Sequence, residues 1–511
     1  MMTPTRREAL IALGAAGILP AAALAAPRKG AVAFSFDALK QDAIRRATQA
    51  YKPVKPVPGA HAIDFDAVGA IQFREAKQIV LSPDTPPIRL FPISRTAPKA
   101  VRLFTVKDGR ASEIVFHADY FDVPAGNPAR SLGDRSGFTG FRVMNTDAEG
   151  DWLAFLGASY FRTAGALNQY GLSARGICID TGAPHPEEFP EFTAFYLEAG
   201  KMGEVIVNAV LDGPSVTGAY RFTCRKGPEG VVQDVEAFVV MRKPVERIGF
   251  GVLTSMFWYG EGHRDKAIDW RPELHDSDGL ALATGAGERI WRPLGNQPSL
   301  SLSSFIDENP KGYGLLQRDR RFDHYQDDGA FYEKRPSLWV EPLGDWGAGA
   351  VMLFEIPTNR ETDDNIVSFW TPAGQTVAGQ RFDLKYRLHW AKKEPDPVVA
   401  RVVDTWTGVG GRPGDEPVAT SQKVVVDFEG PSLAGLTRQS DVKAVIDTGA
   451  AKLAASAAYP VVGLTNHWRL VMDLELPKGE AVDIRAYLRR GDGALTETFL
   501  HHIAPSAVRS G

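Results

Sequence analysis

Cysteine is nearly absent: Cys178 and Cys224 are the only two in 511 residues. That argues against a disulfide framework and against a cysteine-rich zinc site. The pair can form one bridge in an oxidising compartment or stay as two structural thiols. No basic block occurs, and 58 basic against 62 acidic residues give a net charge of −4. Binding nucleic acid by phosphate neutralisation is therefore not expected. Beyond the first 26 residues no apolar run approaches the roughly 20 residues of a membrane span. A Walker loop, a G-x-G-x-x-G turn opening a helix and a Gly-x-Ser-x-Gly elbow are missing too, and His263 and His275 form no helical HExxH pair. Nucleotide chemistry, an α/β-hydrolase site and a catalytic zinc are thus unsupported, and no cofactor or metal is expected.

What is present begins with an address. Arg6-Arg7 precedes an uncharged, alanine-rich run from Ala9 to Ala26, broken by Gly14, Gly17 and Pro20. A twin arginine before a mild apolar run is the pattern of the twin-arginine export signal. Ala23-Leu24-Ala25 fits the small-x-small cleavage rule, so residues 1–25 are expected to be removed near Ala25 and the rest to work in the periplasm.

Glycine and proline, 50 and 35 in number, make up about one residue in six, which favours many turns between short strands. Ser35 to Ala50 reads as one amphipathic helix capped by Ser35, with Phe36, Leu39, Ala43, Ile44 and Ala47 on one face. From Tyr51 to about Tyr386 the pattern is short strands: Ile88 to Phe91, Glu113 to Phe116, Gly176 to Ile179, Glu204 to Val210, Tyr220 to Thr223, Val235 to Val240 and Val351 to Ile356. Glu187 to Leu197 fits a short helix or a strand flanked by prolines. A boundary is expected at Glu394-Pro395-Asp396-Pro397, with a soft Gly/Pro-rich segment from Gly408 to Pro417. Beyond it Lys423 to Phe428, Leu470 to Leu476 and Val482 to Leu488 read as strands of a small module of immunoglobulin-like size. The division is residues 1–25, then 28–393, then 398–511, all-β throughout the folded part.

Six of the ten tryptophans fall between Trp258 and Trp370, among many carboxylates. Flat aromatics beside charged acceptors suit sugar rings, which have apolar C–H faces and a hydroxyl rim. Any one tryptophan is more readily core; the clustering is what points to a sugar. Glycosidic cleavage needs one carboxyl that donates a proton and one carboxylate that activates water or attacks. Two stretches are the sharpest sources: Arg271-Pro-Glu-Leu-His-Asp-Ser-Asp-Gly279 and Glu355-Ile-Pro-Thr-Asn-Arg-Glu-Thr-Asp-Asp-Asn365. Asp-Ser-Asp-Gly could also be only a turn, and the residues after Gly279 do not continue a calcium loop.

Those two stretches, with Phe155-Leu-Gly-Ala-Ser-Tyr-Phe-Arg162, Tyr170-Gly-Leu-Ser-Ala-Arg-Gly176, Gln317-Arg-Asp-Arg320, Trp339-Val-Glu-Pro342 and Asp364-Asn-Ile-Val367, resemble the periplasmic (osmoregulated) glucan biosynthesis proteins of the OpgG/OpgD (MdoG/MdoD) family. The twin-arginine start looks like the OpgD branch. The resemblance implies a large galactose-mutarotase-like β-sandwich followed by a small immunoglobulin-like one. It implies action on β-1,2-linked glucan, as an inverting β-1,2-glucanase, as a transglycosylase that cyclises the glucan, or as a non-catalytic factor serving the inner-membrane glucan synthase. In that pattern Asp364 is the general acid and Asp276 the basic partner. Asp363 and Asp278 stand beside them, so the assignment is open by one or two positions. Tyr332 is a candidate relay. Asp278, His275, Arg271, Trp339, Glu355, Asn365, Tyr325 and Trp370 are candidate substrate-binding residues.

Overall fold

The computed structural model describes residues 30–505 apart from 396–398, 412, 413 and 415–419, and the side chains of 135 and 264–266. The expected export leader lies outside the described residues. Strands hold 47% and helices 10% of the chain, so the protein is all-β. No helix among the described residues is long and apolar enough to cross a membrane.

The one long helix among the described residues is Phe36–Ala47, and Ser35 caps it by accepting from the Ala38 N–H at 3.1 Å. Its apolar stripe seals the outer face of the larger sheet: Phe36 and Leu39 pack with Phe104, Tyr196 and Ala219, and Ala43 packs with Phe238 and Val240. Arg46 is buried beneath it and donates to the carbonyls of Leu211 and Gly218, so the charged head is satisfied where it enters the sheet.

Two large sheets face each other, one of sixteen strands and one of ten. Alternate residues on each strand point inward, and here the inward set is aromatic. Phe155 and Phe161 of the ten-stranded sheet meet Phe195 and Phe222 of the other, with Phe155–Phe195 centroids 5.6 Å apart and Phe161–Phe222 centroids 5.0 Å apart. These edge-on contacts, inside a dry core that also holds Trp152, Tyr220 and Trp390, fix the sheet spacing.

Most expected strands are present and longer than read, such as Val216–Gly227 and Gly230–Met241, which pair along their whole length. Glu113 to Phe116 is a correction. The strand is Arg110–Glu113, because Asp108 and Gly109 both take positive φ in a tight turn and set the register Lys107↔Arg110. The open segment before Leu197 is a strand, Glu191–Ala199. Cys178 and Cys224 are free and buried, and burial pushes each thiol up to about 12.

The C-terminal strands build a second core around Phe428, Trp468, Leu470, Ile484 and Leu488, which Trp291, Leu316 and Trp339 of the large sheet also enter. They are not a detached module. Arg289–Pro293 of the large sheet pairs in parallel with Thr498–Ile503, matching Trp291 to Phe499, so one sheet runs through both parts. This covers an edge that would otherwise expose unpaired backbone. At the start of the expected boundary Glu394 is buried and bonds Arg318 at 2.8 Å. At the join, Gly279 lies flush on the Trp291 ring, where a Cβ would come within 2.1 Å of the ring. Gly279→Ala should therefore lower stability by about 2 kcal/mol in urea unfolding, with the Trp291 environment perturbed. An unchanged midpoint would show that the join has slack.

Candidate functional site

The two carboxylate stretches come from different layers and meet. Asp276 lies in the turn between strand Leu274–His275 and strand Gly279–Ala283 of the large sheet. Its backbone N–H donates to the Met256 carbonyl at 2.8 Å, and Ser277 bonds Ser255 at 2.9 Å, tying the turn to the neighbouring segment. The Asp276 side chain is buried and contacts the Arg335 guanidinium. Burial pushes its carboxyl above the usual range, while Arg335 pulls it back toward the charged form. Arg335 lies flat on the Tyr332 ring, 3.9 Å from its centroid. The Tyr332 hydroxyl is pushed up to about 12, mainly by burial, with Asp276 among the neighbouring charges.

Asp364 precedes strand Ile366–Pro372 of the ten-stranded sheet. Asn365 fixes that loop: its Oδ1 accepts from the Phe257 N–H at 2.9 Å, and its Nδ2 donates to the carbonyls of Phe257 and Ile356, also at 2.9 Å. Asp364 itself is exposed and makes no hydrogen bond among the described residues. Its carboxyl is raised, first by the surrounding protein and next by the negative charge of Asp276, with Arg175 and Arg162 opposing; water screens part of this. Asp364 thus lies within electrostatic range of Asp276, and Arg162 acts on both. Asp363 is turned aside instead, accepting from Thr358 at 2.9 Å and pairing with Arg360 at 3.2 Å.

The rim is organised by Arg271. It bonds Asp269 at 2.6 Å, Asp327 at 2.9 Å and Glu361 at 2.7 Å, drawing three loops together. Asp327 in turn accepts from the N–H groups of Gly329 and Ala330 and so shapes the loop that delivers Tyr332. Phe331 within it takes φ 49°, a left-handed backbone unusual for an aromatic residue, so this loop is held against local strain.

Other predicted residues lie in the interior. His275 has both ring nitrogens engaged, Nδ1 with Gln317 at 2.9 Å and Nε2 with Glu273 at 3.1 Å. Asp278 bonds the N–H groups of Arg318 and Asp319, and burial pushes it up to about 6. Glu355 is buried, bonding Arg292 at 2.9 Å and the Gly295 N–H at 2.7 Å. Tyr325, Trp339 and Trp370 are buried, with Tyr325 donating to the Asp319 carbonyl at 3.1 Å. The tryptophan cluster is thus mostly core: Trp291, Trp339, Trp346 and Trp370 are buried, while Trp270 is 69% exposed beside Arg271. A cavity of about 640 Å³ lies elsewhere, lined by residues such as Arg74, Phe116, Phe121 and Arg130, and touches neither carboxylate stretch. Size alone does not locate the chemistry.

Sequence reasoning gave no role to Arg162, Arg175 and Tyr160. Arg162 acts electrostatically on both Asp276 and Asp364, and its guanidinium stacks 4.6 Å from the Tyr170 ring centroid. Arg175 pairs with Glu187 at 2.8 Å and stacks on Tyr160. They stand some two hundred residues before Asp364, so only the quoted runs that hold them could have drawn attention.

A sequence model described as periplasmic glucan biosynthesis protein, MdoG, matches residues 34–503. Three relatives align over most of their length. Glucans biosynthesis protein D 2 of Ralstonia nicotianae is 43% identical, covering 96% of this chain and 95% of that one. Glucans biosynthesis protein D of Stenotrophomonas maltophilia is 44% identical, covering 98% and 97%. The probable glucans biosynthesis protein D of Shewanella oneidensis is 48% identical, covering 79% and 76%. Among solved structures a polysaccharide lyase superposes with a TM-score of 0.25 and 10% identity, over 72% of this chain and 45% of that one, too slight to carry an argument. With the match spanning nearly every described strand, the chain belongs to the MdoG family of periplasmic glucan biosynthesis proteins.

Proposed function

We propose that the chain is a periplasmic enzyme that binds β-1,2-linked glucan and cleaves it with inversion, Asp364 being the general acid and Asp276 the base. The observation that carries this reading is the unequal setting of two carboxyls, Asp276 buried under Arg335 and Asp364 exposed and raised in part by the Asp276 charge. Burial raises Asp276, but a guanidinium lies on it and pulls it back toward the ionised form a base needs. Asp364 has no such partner and is raised toward the protonated form an acid needs. In the cleavage step the Asp364 proton passes to the glycosidic oxygen as the C–O bond breaks. Asp276 takes a proton from the water that attacks the opposite face of the sugar. Tyr332, beside Asp276 and under Arg335, is placed to relay that proton if water is not in direct reach.

Arg271 and Trp270 then form the rim a glucan crosses. His275, Asp278, Glu355, Asn365, Tyr325, Trp339 and Trp370 act as positioning residues behind it. The same reading takes residues 28–393 as a galactose-mutarotase-like catalytic sandwich and 398–511 as an immunoglobulin-like module, with export by the twin-arginine route. The second reading is a transglycosylase that closes the glucan into a ring, using the same residues but excluding water. A non-catalytic factor serving the glucan synthase would need the binding surface and no acid–base pair.

Incubating the purified chain with linear β-1,2-glucan separates these by product mass. Shortened chains are expected; products lighter by one water would favour cyclisation, and unchanged substrate would contradict catalysis. Asp364→Asn should abolish turnover while glucan still binds, and normal release of reducing ends by that variant would sink the assignment. Arg162 favours the charged form of both carboxyls, so its removal raises both pKa values. Arg162→Gln should therefore move both limbs of the pH–activity profile upward, and a shift of either limb to lower pH would contradict the charge argument.

A further inference from the structure

Behind the glucan-facing carboxyls, the turn at Glu261, residues Glu273–His275 and the short helix Phe322–Tyr325 meet the C-terminal sheet at Val402–Thr405. Glu261, Glu273, His275 and Val402–Thr405 border a partly open space of about 50 Å³, more than one water requires. Glu261, Glu273, Asp278, Asp319 and Asp404 all line it. Five carboxylates around one small space need compensation. Arg321 answers Asp319 at 3.3 Å and Asp404 at 2.5 Å. His324 lies between Asp319 and Glu273, 3.3 Å from Glu273 Oε1.

His275 lies 3.1 Å from the other Glu273 oxygen, while Glu261 has no cation paired with it among the described residues. Glu273 is 2% exposed, yet its Oε1 forms no hydrogen bond. Glu261 Oε2 is likewise buried without a hydrogen bond, and its other oxygen accepts only from the Thr405 N–H. One donor atom from each of Glu261, Glu273 and His324 falls within 4.8 Å of the others. Two carboxylates, each with one buried oxygen that forms no hydrogen bond, and one imidazole thus converge as three potential ligands.

We propose that Glu261, Glu273 and His324 bind one divalent transition cation at the seam between the glucan-facing sheet and the C-terminal strands. Two carboxylates and one imidazole suit Zn²⁺, with a fourth position left for water. Ca²⁺ prefers six to eight oxygens and is the poorer match. The ion would pin Thr405 to the segment that carries Asp276, a role independent of whether glucan is cleaved.

The test is a titration of the purified, chelator-stripped full chain with ZnCl₂, followed by calorimetry and thermal unfolding. One ion per chain and a rise in melting temperature that chelator reverses are expected, with no rise from Ca²⁺ at equal concentration. Glu261→Gln and His324→Asn should each weaken Zn²⁺ binding at least tenfold while keeping the wild-type circular dichroism. No saturable binding by the wild type would overturn the site, and so would wild-type affinity in both variants, which would mark an adventitious surface ion. The wild-type titration decides alone if either variant fails to fold.

Discussion

The spacing of two sheets governs everything else in this protein. Their inner faces are aromatic, and Phe155, Phe161, Phe195 and Phe222 lock edge to face between them. Such a core is nearly incompressible, because close-packed side chains have one arrangement and little room to relax. Asp276 hangs from one sheet and Asp364 from the other. The gap between the carboxyls is therefore set by packing remote from them and not by the flexibility of either loop. This suits chemistry in which a proton donor and a proton acceptor must stand on opposite sides of one bond.

Loops carry the remaining adjustments, and each is tied back to a strand. Asn365 spends its whole amide on the backbone of Phe257 and Ile356. Arg271 gathers Asp269, Asp327 and Glu361. Buried polar side chains of this kind are specific because leaving one unpaired costs about 1–3 kcal/mol. The C-terminal strands extend the same frame: Arg318 sits on the Trp291 ring and bonds both Glu394 and Glu497. A rigid seam there supports the Asp278–Asp319 turn from behind.

Much of this was legible in the sequence, for local reasons. The Ser35 cap, the helix period after it and the alternation of the strands are short-range signals, and the fold class follows from them. Asp276 and Asp364 stood out because acid chemistry needs carboxyls and the family resemblance ran through both stretches. What was illegible is long-range. Nothing local in Trp339, Trp370 or Glu355 says that they are buried; that depends on which face of the sheet they occupy. Arg162 joins the carboxyls only through strand order, since Tyr160–Thr163 and Ile366–Pro372 belong to one sheet. The Glu261, Glu273 and His324 group is likewise invisible to spacing rules, because its members come from three separate segments.

The central claim is that an acid and a base act across one glycosidic bond with water between base and sugar. The anomeric form of the first product reports this directly. Proton NMR during early hydrolysis of linear β-1,2-glucan should show the new reducing ends appearing as the α-anomer, before mutarotation. First appearance as the β-anomer would mean a covalent intermediate and would contradict the roles given to Asp276 and Asp364.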